Sequence, residues 1–277
     1  MRNSAALCLA TLLLPTLAVA QNQSDWRDWT MGARYTVQLE LFHPALDTQL
    51  RIDSSDGTPG TTVDFEQNLG MSDSETVPTL IFEWRVAKKH RLSLGYYELN
   101  RSGSAVTGTI TRFGDKVFEA NLPVSSFMDM DVATVAYSYS LIFDERREFA
   151  ISAGLTLMDI RFGIVGNGSL GVIEAKTSLN VPLPAIGLTG GYAFTDKLYF
   201  RGGAGYFSFD LALSNEKDLR GSIAAAAAGV YHNTFRHVRF GLAYYYYDVD
   251  VDWGNASGFN SLQYTYHGPA LSVAATF

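Results

Sequence analysis

The sequence predicts an all-β fold, a transmembrane antiparallel up-and-down β-barrel of ten strands. Beyond residue 20 the chain has no stretch of 18 apolar residues, so we expect no helix that crosses a membrane. Runs of about ten residues alternate between apolar and polar side chains, as in strands that face lipid on one side and a lumen on the other. The segments between these runs alternate in length, which is not expected of a secreted β-sandwich, the other class with this composition.

The first twenty residues, "MRNSAALCLATLLLPTLAVA", predict a cleaved signal peptide. Arg2 provides the positive start, 5–14 is apolar, and Ala18 to Ala20 is a small-x-small cleavage site. Cys8 is the only cysteine, so the mature chain is expected to lack disulfides and cysteine-bound metals. We expect a signal peptide at 1–20, a periplasmic N-terminal segment at 21–30 and an outer-membrane β-barrel at 31–277.

The charge of the mature chain argues against a nucleic-acid partner. Removal of the signal peptide takes away Arg2 and no acid, which leaves 20 basic and 28 acidic residues. Nucleic-acid-binding domains are typically basic, with lysine and arginine clustered on one face. No sequence motif indicates a cofactor, and we expect none.

The ten strands are identified by their alternation. The first is the most regular, with Tyr35, Val37 and Leu39 on one face and Thr36 and Gln38 on the other. The eighth, "SIAAAAAGVY", is rich in alanine, which prefers helix, but it is too short for a spanning helix and keeps the strand count even. We expect strands at 33–42, 79–86, 91–101, 131–143, 149–160, 183–194, 198–209, 222–231, 237–247 and 270–277.

The connections place both termini on one side of the membrane. Short turns are expected at 87–90, 144–148, 195–197 and 232–237, and long loops at 43–78, 102–130, 161–182, 210–221 and 248–262. Short periplasmic turns and long extracellular loops are typical of outer-membrane barrels. The first long loop carries seven acids and one arginine, which predicts a solvated, mobile segment. Aromatic residues near the short turns predict a girdle of Trp84, Phe143, Phe149, Phe194, Phe200 and Phe240.

The chain ends on an alternating strand, "ALSVAATF", whose outward residues are Leu271, Val273, Ala275 and Phe277. Here the sequence resembles the small proteobacterial outer-membrane β-barrel proteins of the OmpA/OmpX-like superfamily. The resemblance implies that these four residues are the signal read by the barrel-assembly machinery, and that outer-membrane lipids and lipopolysaccharide surround the barrel. Tyr264 and Tyr266 have the opposite parity, for which we expect a bulge at Gly268 and Pro269.

Charged residues on the inward parity are the main candidate site. They are Arg34, Glu40, Glu83, Arg85, Arg91, Arg201 and Arg239. Charges within a membrane-spanning segment must be paired or hydrated. The preferred interpretation is a salt-bridged plug in a barrel with a structural or surface-interaction role. The alternative is a narrow, porin-like channel that prefers anions, because five arginines face two glutamates.

Two further sets of residues have weaker patterns. Of the histidines, only His43 and His267 could lie near the outer rim, and no serine or aspartate spacing around them predicts a catalytic triad. We therefore expect a non-enzymatic protein, with a lipid-modifying or proteolytic barrel as a less favoured alternative. In "DVDVDW", Asp248, Asp250 and Asp252 share the outer face, where they would either hold Ca²⁺ or Mg²⁺ beside lipopolysaccharide or remain solvated. The sequence identifies no extracellular ligand.

Overall fold

The computed structural model describes residues 25–168, 171–213, 217–255 and 258–277. The predicted signal peptide at 1–20, residues 21–24 and three hairpin tips lie outside the described residues. None of the helices formed by the described residues has both the length and the apolar character needed to cross a membrane.

Strands dominate the described part of the chain. A 3-10 helix spans Trp26–Asp28 and helix α1 spans Phe65–Leu69. The strands are β1 (Tyr35–Phe42), β2 (Ala45–Arg51), β3 (Val63–Asp64), β4 (Val77–Ala87), β5 (His90–Val106), β6 (Thr111–Phe113), β7 (Lys116–Phe118), β8 (Pro123–Phe143), β9 (Arg147–Gly168), β10 (Gly171–Ala193), β11 (Leu198–Leu213), β12 (Lys217–Phe235), β13 (Val238–Asn255) and β14 (Gly258–Thr276).

The main sheet closes on itself. Its antiparallel order runs β1-β4-β5-β8-β9-β10-β11-β12-β13-β14, and β14 pairs back with β1. The predicted all-β antiparallel architecture is therefore confirmed. The predicted count of ten strands is too low, because the described residues form fourteen. Strands β2 and β3 add to the edge of β14, and β6 and β7 form a separate sheet, all within the first two predicted long loops.

The outer face of the ring changes character along its length. Towards the short turns it exposes apolar side chains, such as Leu39, Leu80 and Leu242. Farther along the same strands the pattern inverts, so that Asp248 and Asp250 point outward while Val249 is buried. We call the two ends of the barrel the short-turn end and the hairpin end, and the exposed apolar band the apolar belt.

This inversion corrects the predicted long loops. Segments 161–182, 210–221 and 248–262 are mostly strand, because β9 to β14 continue as paired hairpins beyond the apolar belt. Beyond the belt the outer face is polar and the inner face is apolar, as in any water-exposed sheet. A pattern search for apolar residues on the outer face therefore ends each strand too early.

An apolar core fills the hairpin end of the barrel. Phe65 and Leu69 of α1 are buried in it, and the ring of Phe65 stacks on that of Phe162 with centroids 4.4 Å apart. Gly70 ends α1 in a left-handed conformation (φ 64°), and a Cβ there would lie 2.7 Å from the carbonyl oxygen of Ser104. The prediction of a mobile, solvated loop at 43–78 is therefore wrong, because the apolar residues of the segment fill the interior while its acids remain largely at the surface.

The N-terminal segment covers the short-turn end. Met31 is buried, the rings of Trp29 and Phe143 lie 5.1 Å apart, and the side-chain nitrogen of Asn233 donates to the carbonyl oxygen of Thr30 at 3.0 Å. Phe143 is thus not part of an outer girdle. A register shift between Ser140 and Ile142 turns it inward, and the other predicted girdle residues keep their outer positions.

The last strand closes the ring without a bulge. The pairing of β13 with β14 is continuous from Val238↔Ala275 to Asn255↔Gly258, so the bulge predicted at Gly268 and Pro269 is wrong. Tyr264 and Tyr266 therefore lie on the inward parity of β14 and point into the lumen. Phe277 exchanges two backbone hydrogen bonds of 2.9 Å with Tyr35.

Candidate functional site: the barrel lumen

A buried ionic cluster lies at the short-turn end of the lumen, with Glu148 at its centre. The carboxylate of Glu148 contacts Arg85 at 2.8 Å, Arg91 at 3.4 Å and Arg201 at 3.6 Å. Ser140 Oγ donates to the same carboxylate at 2.9 Å. The side chains of Glu148 and Arg85 are each only 2% exposed, so this cluster is shielded from solvent.

Glu83 completes the cluster. Its carboxylate lies 3.2 Å from Arg201 and 3.9 Å from Arg91. The structure thus brings together four of the predicted lumen residues around Glu148. This residue was predicted to lie in the turn 144–148 and not in the lumen. The signal for it was available, because Glu148 has the same parity as Ser152 and other inward residues of β9. The predicted turn hid it.

The other predicted lumen charges lie outside this cluster. Glu40 is buried and accepts hydrogen bonds from Gln38 at 3.2 Å and from the hydroxyl of Tyr245 at 3.0 Å. The guanidinium of Arg34 lies 5.6 Å from the ring of its neighbour Tyr35.

Arg239 is a buried cation with no ion pair among the described residues. It is 5% exposed, its guanidinium lies 5.4 Å from the ring centroid of Tyr199, and its Nε donates to Asn233 at 3.4 Å. A buried charge is normally compensated by a partner of opposite sign. Arg239 therefore adds uncompensated positive charge to the lumen.

Tyrosines form one wall of the lumen. Stacked pairs join Tyr199 to Tyr231 at 5.2 Å and Tyr247 to Tyr266 at 4.6 Å between ring centroids. The hydroxyls of Tyr97 and Tyr266 lie 3.1 Å apart. This ladder runs from the ionic cluster to the apolar core and was not recognised from the sequence, although each member has the inward parity of its strand.

A cavity of about 360 Å³ lies beside this wall. Arg91, Arg201 and Arg239 line it, as do the rings of Tyr231 and Tyr245. Small side chains line the rest of the cavity, among them Ser138, Ser152, Gly154, Gly187, Gly203 and Ala227. Its volume is within the range of small-molecule sites, roughly 300–1,000 Å³. The cavity lies at the depth of the apolar belt.

Strands β10 and β11 separate beside this cavity. Their pairing runs from Ala193↔Tyr199 to Gly187↔Gly205 and stops there, although both strands continue. Within the described residues, the neighbouring pairs β9–β10 and β11–β12 stay in register towards the hairpin end. The pairing of these two strands is therefore interrupted between 182–186 and 206–210.

Two prolines explain this interruption. The N–H of Phe194 donates to Leu198 on the β11 side, whereas that of Ala193 donates towards β9. The backbone N–H and C=O groups of successive residues point alternately to the two neighbouring strands. Those of the even-numbered residues of β10 therefore point to β11. Pro182 and Pro184 are even-numbered, and proline has no N–H to donate to a neighbouring strand. The ladder is thus lost on that edge alone.

The remaining candidate residues have ordinary structural contacts. Asp248 accepts from Thr265 at 2.9 Å and Asp252 lies 3.4 Å from Arg220, both on the outer face beyond the apolar belt. Nδ1 of every histidine contacts a hydroxyl or carbonyl oxygen, for instance Thr76 for His43. Three other carboxylates approach one another, those of Asp47, Asp64 and Glu66, and Glu66 is paired with the buried Arg101.

Comparison with known proteins identifies the fold. No family model and no curated protein matches the chain. The outer-membrane protease OmpT from Escherichia coli has a TM-score of 0.57 and 10% identity, over 88% of this chain and 96% of that chain. The outer-membrane protein OprG from Pseudomonas aeruginosa follows with a TM-score of 0.40 and 13% identity, over 88% and 96% of the two chains. The P. putida toluene transporter TodX has a TM-score of 0.38 and 10% identity, over 88% and 90%.

At these identities the comparison shows the fold alone. The chain has the fold of an outer-membrane β-barrel, as the alternation predicted. The resemblance to the OmpA/OmpX-like superfamily stays a prediction.

Proposed function

We propose that the protein is an integral outer-membrane β-barrel with a structural or surface-interaction role, whose lumen is plugged. The observation that carries the proposal is the filling of both ends of the barrel. The cluster around Glu148 and the N-terminal segment occupy the short-turn end, and the apolar core around Phe65 occupies the hairpin end. A conducting pore needs a continuous hydrated path, which these two layers interrupt.

Location in the outer membrane is supported by the surface of the barrel. Exposed apolar residues follow one parity along the strands of the ring up to the register shifts of β8 and β12 near the short turns, as lipid contact requires. The short-turn end is then periplasmic, and Leu271, Val273, Ala275 and Phe277 lie on the outer parity of β14, consistent with the predicted assembly signal. Lipids and lipopolysaccharide would be the immediate partners of this surface.

A non-enzymatic role is favoured by the histidines. A hydrolytic triad needs a histidine oriented by a carboxylate. The Nδ1 contacts of His43 and His267, with Thr76 and Tyr244, are to hydroxyl groups instead. The proteolytic alternative, which OmpT illustrates for this fold, has no such support here.

The second candidate function is a narrow anion-preferring channel. Its supporting observation is the excess of arginine in the lumen, including Arg239, which has no ion pair among the described residues. It would require the two filled ends to move apart.

Solute uptake separates the two functions. Proteoliposomes containing the refolded protein should not swell in small sugars or in chloride and acetate salts, whereas liposomes with a general porin should. Folding is verified by the change in gel mobility on heating. Swelling in anion salts by the folded wild-type protein would favour the channel.

A further inference from the structure

The lumen cavity combines charge, shape and access in a way that plugging alone does not require. Four arginines and three glutamates lie in or next to its lining, namely Arg85, Arg91, Arg201, Arg239, Glu83, Glu148 and Glu40, the last hydrogen-bonded to Tyr245. Arginine stays protonated at any accessible pH, so this group of residues keeps a positive excess. A purely structural plug would be more stable with balanced charges, because an unpaired buried ion is costly.

Arg239 locates this excess at the cavity. It is 5% exposed and lines the cavity, and it forms no ion pair within the described part of the chain. Its neighbours are the ring of Tyr199 and the amide oxygen of Asn233, both uncharged. A small anion in the cavity would provide the missing partner.

The residues that line the cavity determine what the uncharged part of such a ligand can be. Tyr231, Tyr245 and Tyr247 contribute aromatic side chains to the lining, and most of the rest is glycine, alanine, serine and threonine, which leave room beside the tyrosines. Aromatic rings stack favourably on tyrosine beyond the burial of their area. This geometry suits a flat aromatic body better than a flexible aliphatic chain.

The interrupted pairing gives access from the side. Above Gly187 and Gly205 the strands β10 and β11 are unpaired from the edge of the apolar belt, where Ile186 and Tyr206 are exposed, towards the hairpin end. Both ends of the lumen are filled, so the side is the remaining route for a molecule already dissolved in the membrane. An aromatic carboxylate partitions between water and membrane and meets this requirement.

We propose that the cavity binds a small aromatic carboxylate, with its carboxylate on Arg239 and its ring against the tyrosine wall, and that the ligand enters between β10 and β11. The side route rests on the proposed membrane location, whereas binding in the cavity does not. Binding in detergent therefore tests the site even if the location or the absence of conductance proves wrong.

The test uses 4-fluorobenzoate and ¹⁹F NMR with the refolded mature protein in a neutral detergent. We expect saturable binding by the wild type. Arg239→Gln should weaken it at least about tenfold, the effect of one lost charged hydrogen bond, and Arg239→Lys should retain part of it. The uncharged 4-fluorobenzamide should bind at least about tenfold more weakly than the acid for the same reason.

A filling variant tests the position of the ligand. Ala227 lines the cavity, so Ala227→Leu should abolish binding. Ala133 is exposed on the outer face of β8, so Ala133→Leu is the matched control and should bind as the wild type does. Unfolding in urea verifies that each variant is folded. Unsaturable signal in the wild type, or equal binding by both leucine variants, would overturn the proposal.

The chemical class of the ligand and its route of entry are tested separately. Octanoate that displaces the fluorinated probe at lower concentration than benzoate would overturn the aromatic assignment.

Cysteines in place of Ile186 and Tyr206, the first residues beyond the last pair Gly187↔Gly205, allow the two strands to be joined by oxidation. Association should slow at least about tenfold in the oxidised protein and recover on reduction. An unchanged association rate in the verified disulfide form would refute the side route.

Discussion

Among single residues, Glu148 has the largest number of ionic partners in the lumen. Three guanidinium groups and a serine hydroxyl converge on its carboxylate within 3.6 Å. Because Glu148, Arg85 and Arg91 are buried, each depends on the others for compensation. Glu83 has two of the same arginines as partners and is more exposed.

Replacement of Glu148 should therefore destabilise the barrel. Glu148→Ala leaves buried arginines without their main partner, and breaking such a pair costs about 3–5 kcal/mol. Urea unfolding of the refolded protein in detergent measures the loss. Glu119→Ala, at an exposed acid, is the matched control and should change stability by less than about 0.5 kcal/mol. A loss below about 1 kcal/mol for Glu148→Ala would show that water screens the cluster.

Asp115 provides a pH-dependent tether outside the barrel wall. It accepts from the backbone N–H of Ser55 at 2.8 Å and from its hydroxyl at 2.9 Å, and these hydrogen bonds lower the pKa of Asp115 below its ordinary 3.8. A lowered folded-state pKa means that the tether is intact above the ordinary value and is lost as the pH falls through the lowered one.

The amide proton of Ser55 reports this titration. Its NMR shift should titrate with a midpoint below pH 3.8, and Asp115→Asn should remove the transition. A midpoint at or above the ordinary value in the wild type would mean that the tether does not form in solution.

The alternation of apolar and polar residues identified lumen residues wherever the bounds of a strand were predicted correctly. It missed lumen residues where a strand began earlier than predicted. Arg85, Arg91 and Arg201 were found because parity within the apolar belt assigns each residue to one face. Glu148 was missed because the strand begins before its first outward aromatic residue. The unpaired state of Arg239 could not be predicted, because it depends on which strands curve towards one another.

At the level of elements, the separation of β10 from β11 follows from two side chains. Pro182 and Pro184 remove donors on one edge of β10, while the bonds of β10 to β9 stay intact. The prolines are visible in the sequence, but the edge they face becomes known only from the register.

Hydrogen exchange tests this separation. The amides of Ser208 and Asp210 point towards β10, beyond the last pair of the two strands, whereas those of Phe207 and Phe209 point towards β12 and are paired. The first two should exchange faster than the second two in the same sample, because an unpaired amide lacks the protection of a ladder bond. Equal protection of all four amides would contradict the separation.

Elements beyond the apolar belt were the least predictable. After Tyr246 the outward residues become polar and the inward ones apolar, so 248–262 was predicted to be a loop. The apolar residues of 43–78 that are buried in the core were overlooked because the segment is rich in acids. Solvent, rather than chain propensity, sets which face is apolar, so the same strand has two patterns.

For the whole molecule, Phe277 extends the pairing of β1 with β14 that closes the ring. Phe277 exchanges backbone hydrogen bonds with Tyr35, and its side chain stacks on His237 with a centroid distance of 5.6 Å. Deletion of Phe277 should reduce accumulation in the outer membrane with little change in synthesis, which fractionation and immunoblotting would measure. Deletion of Asp25, at the other end of the described chain, is the control. Normal outer-membrane levels without Phe277 would refute its role in assembly.

A barrel that is filled at both ends of its lumen should not conduct ions. Single-channel recording of the folded wild-type protein in planar bilayers measures this property. We predict no current steps at moderate voltages, with a general porin in the same bilayers as the positive control and gel mobility as the measure of folding. Reproducible anion-selective steps from the wild type would contradict the account and identify the arginine-rich lumen as a pore.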